Sequence, residues 1–181
     1  WENPDAFFAL KTVSEKNEYL PLKISFETIS AESYQHQQSF LAEFFLLLKK
    51  LFRFNHLPEL LEFTESYRQP VTLGQLDQFI TELCLKFPRK LVLMIDEVDK
   101  SSNNQLFLDF LALLRTKYLG TARGKDSTFH SIILAGVHDV KSLKLKLRPD
   151  DKRQYNSPWN IAVNFTIDLS FAPDEIQTML A

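Results

Sequence analysis

The chain has 181 residues, a length typical of one domain with a sizeable core. It is 45% hydrophobic and 24% charged, as is ordinary for a soluble globular protein, and its net charge of -2 gives no general reason to expect nucleic acid or an acidic membrane as partner. The single cysteine, Cys84, excludes an internal disulfide and a metal site built from several cysteines. This cysteine content suits a reducing compartment, so we expect a cytoplasmic protein. The sequence has no apolar run near the roughly 20 residues that cross a bilayer and no signal peptide.

Both ends of the sequence have the character of truncation points. It starts at Trp1 without an initiator Met, and it stops at Ala181, where residues 173–180 begin a helical pattern. We therefore expect a fragment of a longer protein, with one partial domain over residues 1–181 that is truncated at both ends.

The first part of the chain predicts helices around one strand. Residues 5–17 have a helical pattern, and residues 22–27 alternate apolar and polar side chains, as in a strand with one buried face. Residues 31–54 predict a long helix whose Phe- and Leu-rich face belongs to the core. Residues 55–71 contain two prolines and predict a short helix within loops.

A well-marked helix and a buried strand follow. Thr72 and Gln75 have the spacing of a capping box, so a helix is predicted from Thr72 to about Lys86. Residues 91–95 form a continuous apolar run with no polar face, which predicts a central strand covered on both sides.

The last part predicts one more helix and two more strands. A helix from about 103 to 118 has Gly120 as its C-cap, and residues 121–128 form a polar, mobile loop. Residues 131–137 are a second all-apolar strand, and a basic segment covers residues 141–153. Residues 163–171 alternate apolar and polar side chains, as a half-exposed strand does.

Strands separated by helices predict an α/β fold with a parallel sheet between helical layers. The alternating strands, 22–27 and 163–171, are expected at the edges of the sheet, and the apolar strands, 91–95 and 131–137, in its interior.

Two adjacent carboxylates follow the central strand. In open parallel sheets, ligands bind beyond the carboxyl ends of the strands, and ATP hydrolysis needs acids there. We predict that Asp96 holds Mg²⁺, that Glu97 is the catalytic residue that orients or deprotonates the attacking water, and that Asp99 assists the metal site. The alternative is a strand that ends in solvent-facing acids.

Further polar residues follow the next strand. His138 or Asp139 is in position to sense a γ-phosphate, and Arg148, in the basic segment, is a candidate to approach a phosphate in cis or across a subunit interface. The alternatives are a polar strand-to-loop turn and a solvated basic face.

The phosphate-binding loop motif G-x-x-x-x-G-K-[ST] does not occur in the chain. Gly124 and Lys125 resemble its end, but they follow a predicted helix and lack the strand–loop–helix context. Without such a loop, this chain is expected to bind a triphosphate weakly.

Five segments resemble the bacterial AAA-like domain proteins that are described as ATP-binding: residues 91–99 (LVLMIDEVD), 103–111 (NNQLFLDFL), 132–141 (IILAGVHDVK), 148–151 (RPDD) and 156–162 (NSPWNIA). The resemblance is specific from about residue 91 to 180. Before that, only the order of helix, strand and helix agrees.

The resemblance implies a three-layer P-loop NTPase fold with sheet order 5-1-4-3-2 and helices on both faces. The four predicted strands would be the second to fifth, and the first strand and phosphate loop would lie just before Trp1. Asp96 and Glu97 match the family's acidic strand end, so the resemblance implies ATP and Mg²⁺ as cofactors of the full-length protein.

Three functions remain open from the sequence. The first is an ATPase domain acting as a nucleotide-dependent switch or motor, inactive as this fragment. The second is a nucleotide-free remnant of that fold that serves as a protein-interaction module. The third is an ATPase attached to a nuclease, although no nuclease motif is visible. Expected partners are a nucleotide and either a protein or further copies of the chain, with no membrane.

Overall fold

The computed structural model describes residues 18–98 and 104–136. Within these ranges the chain forms three strands and four α-helices: β1 (Tyr19–Ser25), α1 (Gln37–Phe54), α2 (Pro58–Ser66), α3 (Leu73–Lys86), β2 (Lys90–Asp96), α4 (Gln105–Ala122) and β3 (Ser131–Leu134). The predicted helix at 5–17, the basic segment at 141–153 and the predicted strand at 163–171 lie outside the described residues.

The strands form one parallel sheet in the order β1-β2-β3, which confirms an α/β architecture with a small parallel sheet. Leu93 of β2 is opposite Leu22 of β1 and Ile132 of β3, so β2 is central. The prediction of a buried central strand is confirmed, because residues 91–95 are all buried. Strand β1 lies at an edge of the described sheet, as its alternation predicts.

Strand β3 is shorter and more exposed than its apolar sequence predicts. It ends at Leu134, and each of its four residues is only half-buried. Among the described strands it has a partner on one side only. The backbone pairing with β2 continues for one residue, since Ala135 N donates to Ile95 O at 2.8 Å.

The core lies on the face of the sheet that the four described helices cover. Leu22, Ile24, Leu93 and Ile95 point to this face, as the two-residue period of strands requires. Residues from all four helices complete the same cluster. The Phe-rich face predicted for α1 is therefore core.

Phe26, the first residue after β1, packs against four other aromatic rings of this core. Its ring centroid lies 6.0 to 6.3 Å from those of Phe40 and Phe44 on α1 and of Phe107 and Phe110 on α4. Aromatic pairs at these separations add about 0.5–1.5 kcal/mol each beyond the area that they bury. The end of β1 is thereby fixed against α1 and α4.

Two predicted helix limits are wrong. The helix expected to start at residue 31 begins at Gln37, because Ser33 N donates to Ser30 Oγ and residues Ser33–Gln35 form a separate 3-10 turn. Serine side chains compete in this way with helical hydrogen bonds.

Gly120, the predicted C-cap, instead lies inside α4. The residue in the left-handed conformation is Gly124, with φ 68°. Lys125 N donates to Gly120 O and Gly124 N to Thr121 O, both at 2.9 Å, which is the Schellman pattern of helix ends. Gly124 and Lys125 therefore end a helix and have no phosphate-loop geometry.

Candidate functional site at the carboxyl end of β2

Asp96 is the last residue of the central strand, opposite Ser25 at the end of β1. Both strands end at the same edge, where an open parallel sheet binds its ligands. The Asp96 side chain is about one-third exposed, at 37%, while residues 91–95 of β2 are buried. The structure thus presents one carboxylate at the mouth of the sheet. The prediction that Asp96 holds Mg²⁺ stays a prediction.

Both oxygens of the Asp96 carboxylate have partners within the protein. Oδ1 accepts a hydrogen bond from the Glu97 backbone N–H at 3.0 Å, and Oδ2 lies 3.4 Å from Lys23 Nζ. Lys23 belongs to β1 and is opposite Met94, so it is the diagonal neighbour of Asp96 on the same face of the sheet. Because both side chains are partly exposed, the ion pair contributes only about 0–1 kcal/mol to stability.

Glu97 adopts the left-handed backbone conformation, with φ 59°. This conformation is uncommon for a residue with a Cβ and costs roughly 1–2 kcal/mol. Two contacts accompany this turn: the Glu97 N–H donates to Asp96 Oδ1, and the next residue, Val98, is fully buried and donates its N–H to Ala135 O at 3.2 Å. Glu97 is therefore held at the strand end by contacts on both sides.

A magnesium ion at this site would need oxygens from a ligand and from water in addition to Asp96. Within the described ranges no group of three or more His, Cys, Asp or Glu residues is placed to hold a metal ion. Mg²⁺ in nucleotide sites uses one or two carboxylates plus substrate phosphates and water, and Asp96 offers one such carboxylate. Ser25 Oγ, its neighbour on β1, already accepts a hydrogen bond from Glu27 N at 3.2 Å.

The remaining predicted site residues lie outside the described residues: Asp99 for the metal, and His138, Asp139 and Arg148 for the phosphates. The structure therefore brings together Asp96, Glu97 and Lys23. Lys23 was missed by sequence reasoning. The alternation of its strand predicts only that Lys23 points away from the buried face. The register that places it beside Asp96 cannot be predicted from the local sequence.

A second polar cluster lies away from the strand ends, between α3 and α4. The side chain of Lys117 is 0% exposed, and its Nζ lies 3.0 Å from Asp77 Oδ1 and from Asp126 Oδ2, and 2.6 Å from Thr81 Oγ1. Burial acts to raise the pKa of Asp126, but hydrogen bonds from Lys117, Ser127 N and Thr81 outweigh it and lower that pKa. Asp126 lies within residues 121–128, the segment predicted to be a mobile loop, and the cluster anchors it to two helices.

Neither Cys84 nor the pocket between α2 and α3 provides a competing site. Burial raises the pKa of the Cys84 thiol to about 12, so it is not a nucleophile at neutral pH. The pocket is lined by residues such as Glu59, Phe63 and Lys86, and none of its lining residues belongs to the strand ends.

Comparison with known proteins found no relative of this chain: no family model, no curated protein and no solved structure matches it. In the part of the chain that the structure describes, no helix has the length and apolar character needed to span a bilayer.

Proposed function

We propose that the chain is part of an ATP-binding and ATP-hydrolysing AAA-like domain, which acts in the full-length protein as a nucleotide-dependent switch or motor module. The observation that carries this proposal is the conformation of Glu97. An acidic residue held at positive φ directly after a buried parallel strand is a strained residue at the ligand-binding edge, and such strain is concentrated at functional sites.

The roles of the residues follow from their positions. Asp96, at the strand end, would hold Mg²⁺ with help from Asp99, and the bound ion would neutralise charge on the phosphates. Glu97, one residue further, would orient the attacking water. His138, Asp139 and Arg148 are proposed to contact phosphates, and the phosphate-binding loop itself would be supplied from outside these 181 residues.

The sheet supports the P-loop form of this proposal. In the order 5-1-4-3-2, the second, third and fourth strands are neighbours and the third lies between the other two. Strands β1, β2 and β3 have this arrangement, with β2 in the middle and all three parallel. The first and fifth strands of that order, and helices on the second face of the sheet, remain part of the proposal.

One alternative is a nucleotide-free remnant of the fold that serves as a protein-interaction module. Two observations favour it: the chain contains no G-x-x-x-x-G-K-[ST] motif, and both oxygens of Asp96 already have partners. In such a module, the Lys23–Asp96 pair would be a solvated surface contact.

Nucleotide binding by the product of the complete reading frame tests the proposal. A fluorescent ATP analogue with Mg²⁺ is expected to bind the wild-type protein, and Asp96→Asn is expected to weaken binding in the presence of Mg²⁺ more than in its absence. The matched control is Glu62→Gln, which removes a carboxylate from the surface of α2. This variant should bind the nucleotide like the wild type. If the wild-type protein binds no nucleotide, the interaction module becomes the better proposal.

A further inference from the structure

The Asp96 carboxylate forms an ion pair with a cation from another strand. Lys23 Nζ lies 3.4 Å from Asp96 Oδ2, and the two side chains are 40% and 37% exposed. They belong to adjacent parallel strands whose ends are fixed, β2 by its buried residues and β1 by Phe26 in the core. The proximity of these two charges is therefore a property of the sheet itself.

A divalent cation and the Lys23 ammonium would compete for the same oxygen. When Asp96 pairs with Lys23, the ammonium makes the electrostatic potential at the carboxylate less negative, so a metal ion is attracted less strongly. The positive ammonium would also repel a metal ion bound at Asp96. Because the pair is partly exposed, its own strength is only that of a surface ion pair, so a metal can displace it.

We propose that Lys23 is the resident counter-ion of Asp96 and a positioning residue for the metal site. It holds the carboxylate at the strand end and weakens binding of a divalent cation that arrives without phosphates. A cation that arrives with a polyphosphate brings negative charge that offsets the ammonium. Lys23 thereby makes metal binding at Asp96 depend on the nucleotide. This inference rests on the proposed function, because it takes Asp96 as the metal ligand.

The test uses Mn²⁺ alone as the probe, since carboxylate sites that suit Mg²⁺ also bind Mn²⁺ and the bound ion broadens nearby amide NMR signals. Broadening of the Glu97 and Ser25 amides is titrated at low ionic strength, where surface charges are least screened. Lys23→Met removes the charge and keeps an apolar stem, and it is expected to tighten Mn²⁺ binding by about twofold to fivefold.

Three further variants separate this effect from others. Lys23→Arg keeps the charge and is expected to bind Mn²⁺ like the wild type. Lys50→Met, which removes an exposed lysine from α1, is expected to have no effect. Asp96→Asn in the Lys23→Met background is expected to abolish the broadening, which locates the ion at this carboxylate. Urea unfolding of each variant identifies a purely structural effect, which would change stability and leave Mn²⁺ affinity unchanged.

The outcomes distinguish the inference from the function on which it rests. Equal Mn²⁺ affinity in the wild type and in Lys23→Met would overturn the role of Lys23 and leave the metal site at Asp96 intact. Broadening that survives Asp96→Asn, or no broadening at Glu97 and Ser25 in any variant, would overturn both the inference and the proposed metal ligand.

Discussion

Lys117 Nζ, on a side chain with no exposed surface, lies 3.0 Å from Asp126 Oδ2 and so joins α4 to the segment that leads into β3. Asp77 and Thr81 bring α3 into the same cluster. A buried charge is tolerated only when it is paired and hydrogen-bonded, and the Lys117 ammonium meets that condition through the carboxylates of Asp77 and Asp126 and the Thr81 hydroxyl. The cluster fixes the packing of two core helices without taking part in the proposed chemistry.

Lys117→Met is predicted to destabilise the protein by about 2–3 kcal/mol, because it removes the hydrogen bonds to Asp126 and the ion pair with Asp77 and leaves Asp126 partly buried without its counter-charge. Urea unfolding followed by circular dichroism measures the change. The control is Lys50→Met on the exposed side of α1, for which less than about 0.5 kcal/mol is expected. A similar small change for Lys117→Met would show that the cluster adds little to stability.

The same cluster predicts a loss of stability in acid. Because hydrogen bonds lower the pKa of Asp126 in the folded protein, the folded state binds fewer protons than the unfolded state. The stabilisation is present above the unfolded pKa, near 3.8, and is lost as the pH falls from there through the lower folded pKa. Asp126→Asn should therefore be less stable than the wild type at neutral pH, and this difference should shrink below about pH 4. A difference that stays constant with pH would contradict the assignment.

Two glycine substitutions are predicted to have opposite effects. Gly124 has φ 68° at the end of α4, so Gly124→Ala should destabilise by about 1 kcal/mol or more. Gly74 lies in the first turn of α3, where an added Cβ would meet only Thr72 Oγ1, at 4.0 Å. Gly74→Ala should stabilise by about 0.4–1 kcal/mol. Thermal unfolding measures both, and a shift in the same direction for the two variants would contradict the backbone geometry.

Substitutions of Glu97 are predicted to have different effects on stability and on ATP hydrolysis. Glu97→Gly relieves the positive φ of 59° and should stabilise the fold by about 1 kcal/mol. Glu97→Gln keeps the shape of the side chain and should leave stability unchanged. In the product of the complete reading frame, both variants should slow ATP hydrolysis about 10²-fold or more while binding nucleotide like the wild type. Steady-state turnover and urea unfolding measure the two properties, and unchanged turnover would remove Glu97 from the mechanism.

Several features of the fold could be predicted because they depend on nearby residues. Thr72 is the N-cap of α3 and accepts a hydrogen bond from Gln75 N at 3.2 Å, as the capping-box spacing predicts. The Gln75 side chain, however, accepts from Val71 N rather than from Thr72 N. The predicted start of α1 and the predicted end of α4 were wrong, because serine hydrogen bonds determine where α1 begins and a Schellman motif determines where α4 ends.

The candidate site could be predicted only in part. An apolar run that ends in Asp96 and Glu97 places two acids at a strand end from sequence alone. The contact with Lys23 depends on which strands pair and in which register, and the conformation of Glu97 depends on the burial of Val98. Both involve residues that are distant in the chain or buried by the fold, so local patterns carry no signal for them.

The sequence by itself determined the order of helices and strands, the central position of β2 and the place of Asp96 and Glu97 after it, because side-chain periodicity and caps act over a few residues. Only the tertiary structure decided the pairing of Asp96 with Lys23, the left-handed turn at Glu97 and the burial of Lys117 among Asp77, Thr81 and Asp126. These contacts form when segments up to 73 residues apart, from Lys23 to Asp96, are brought together by burial of a common apolar face.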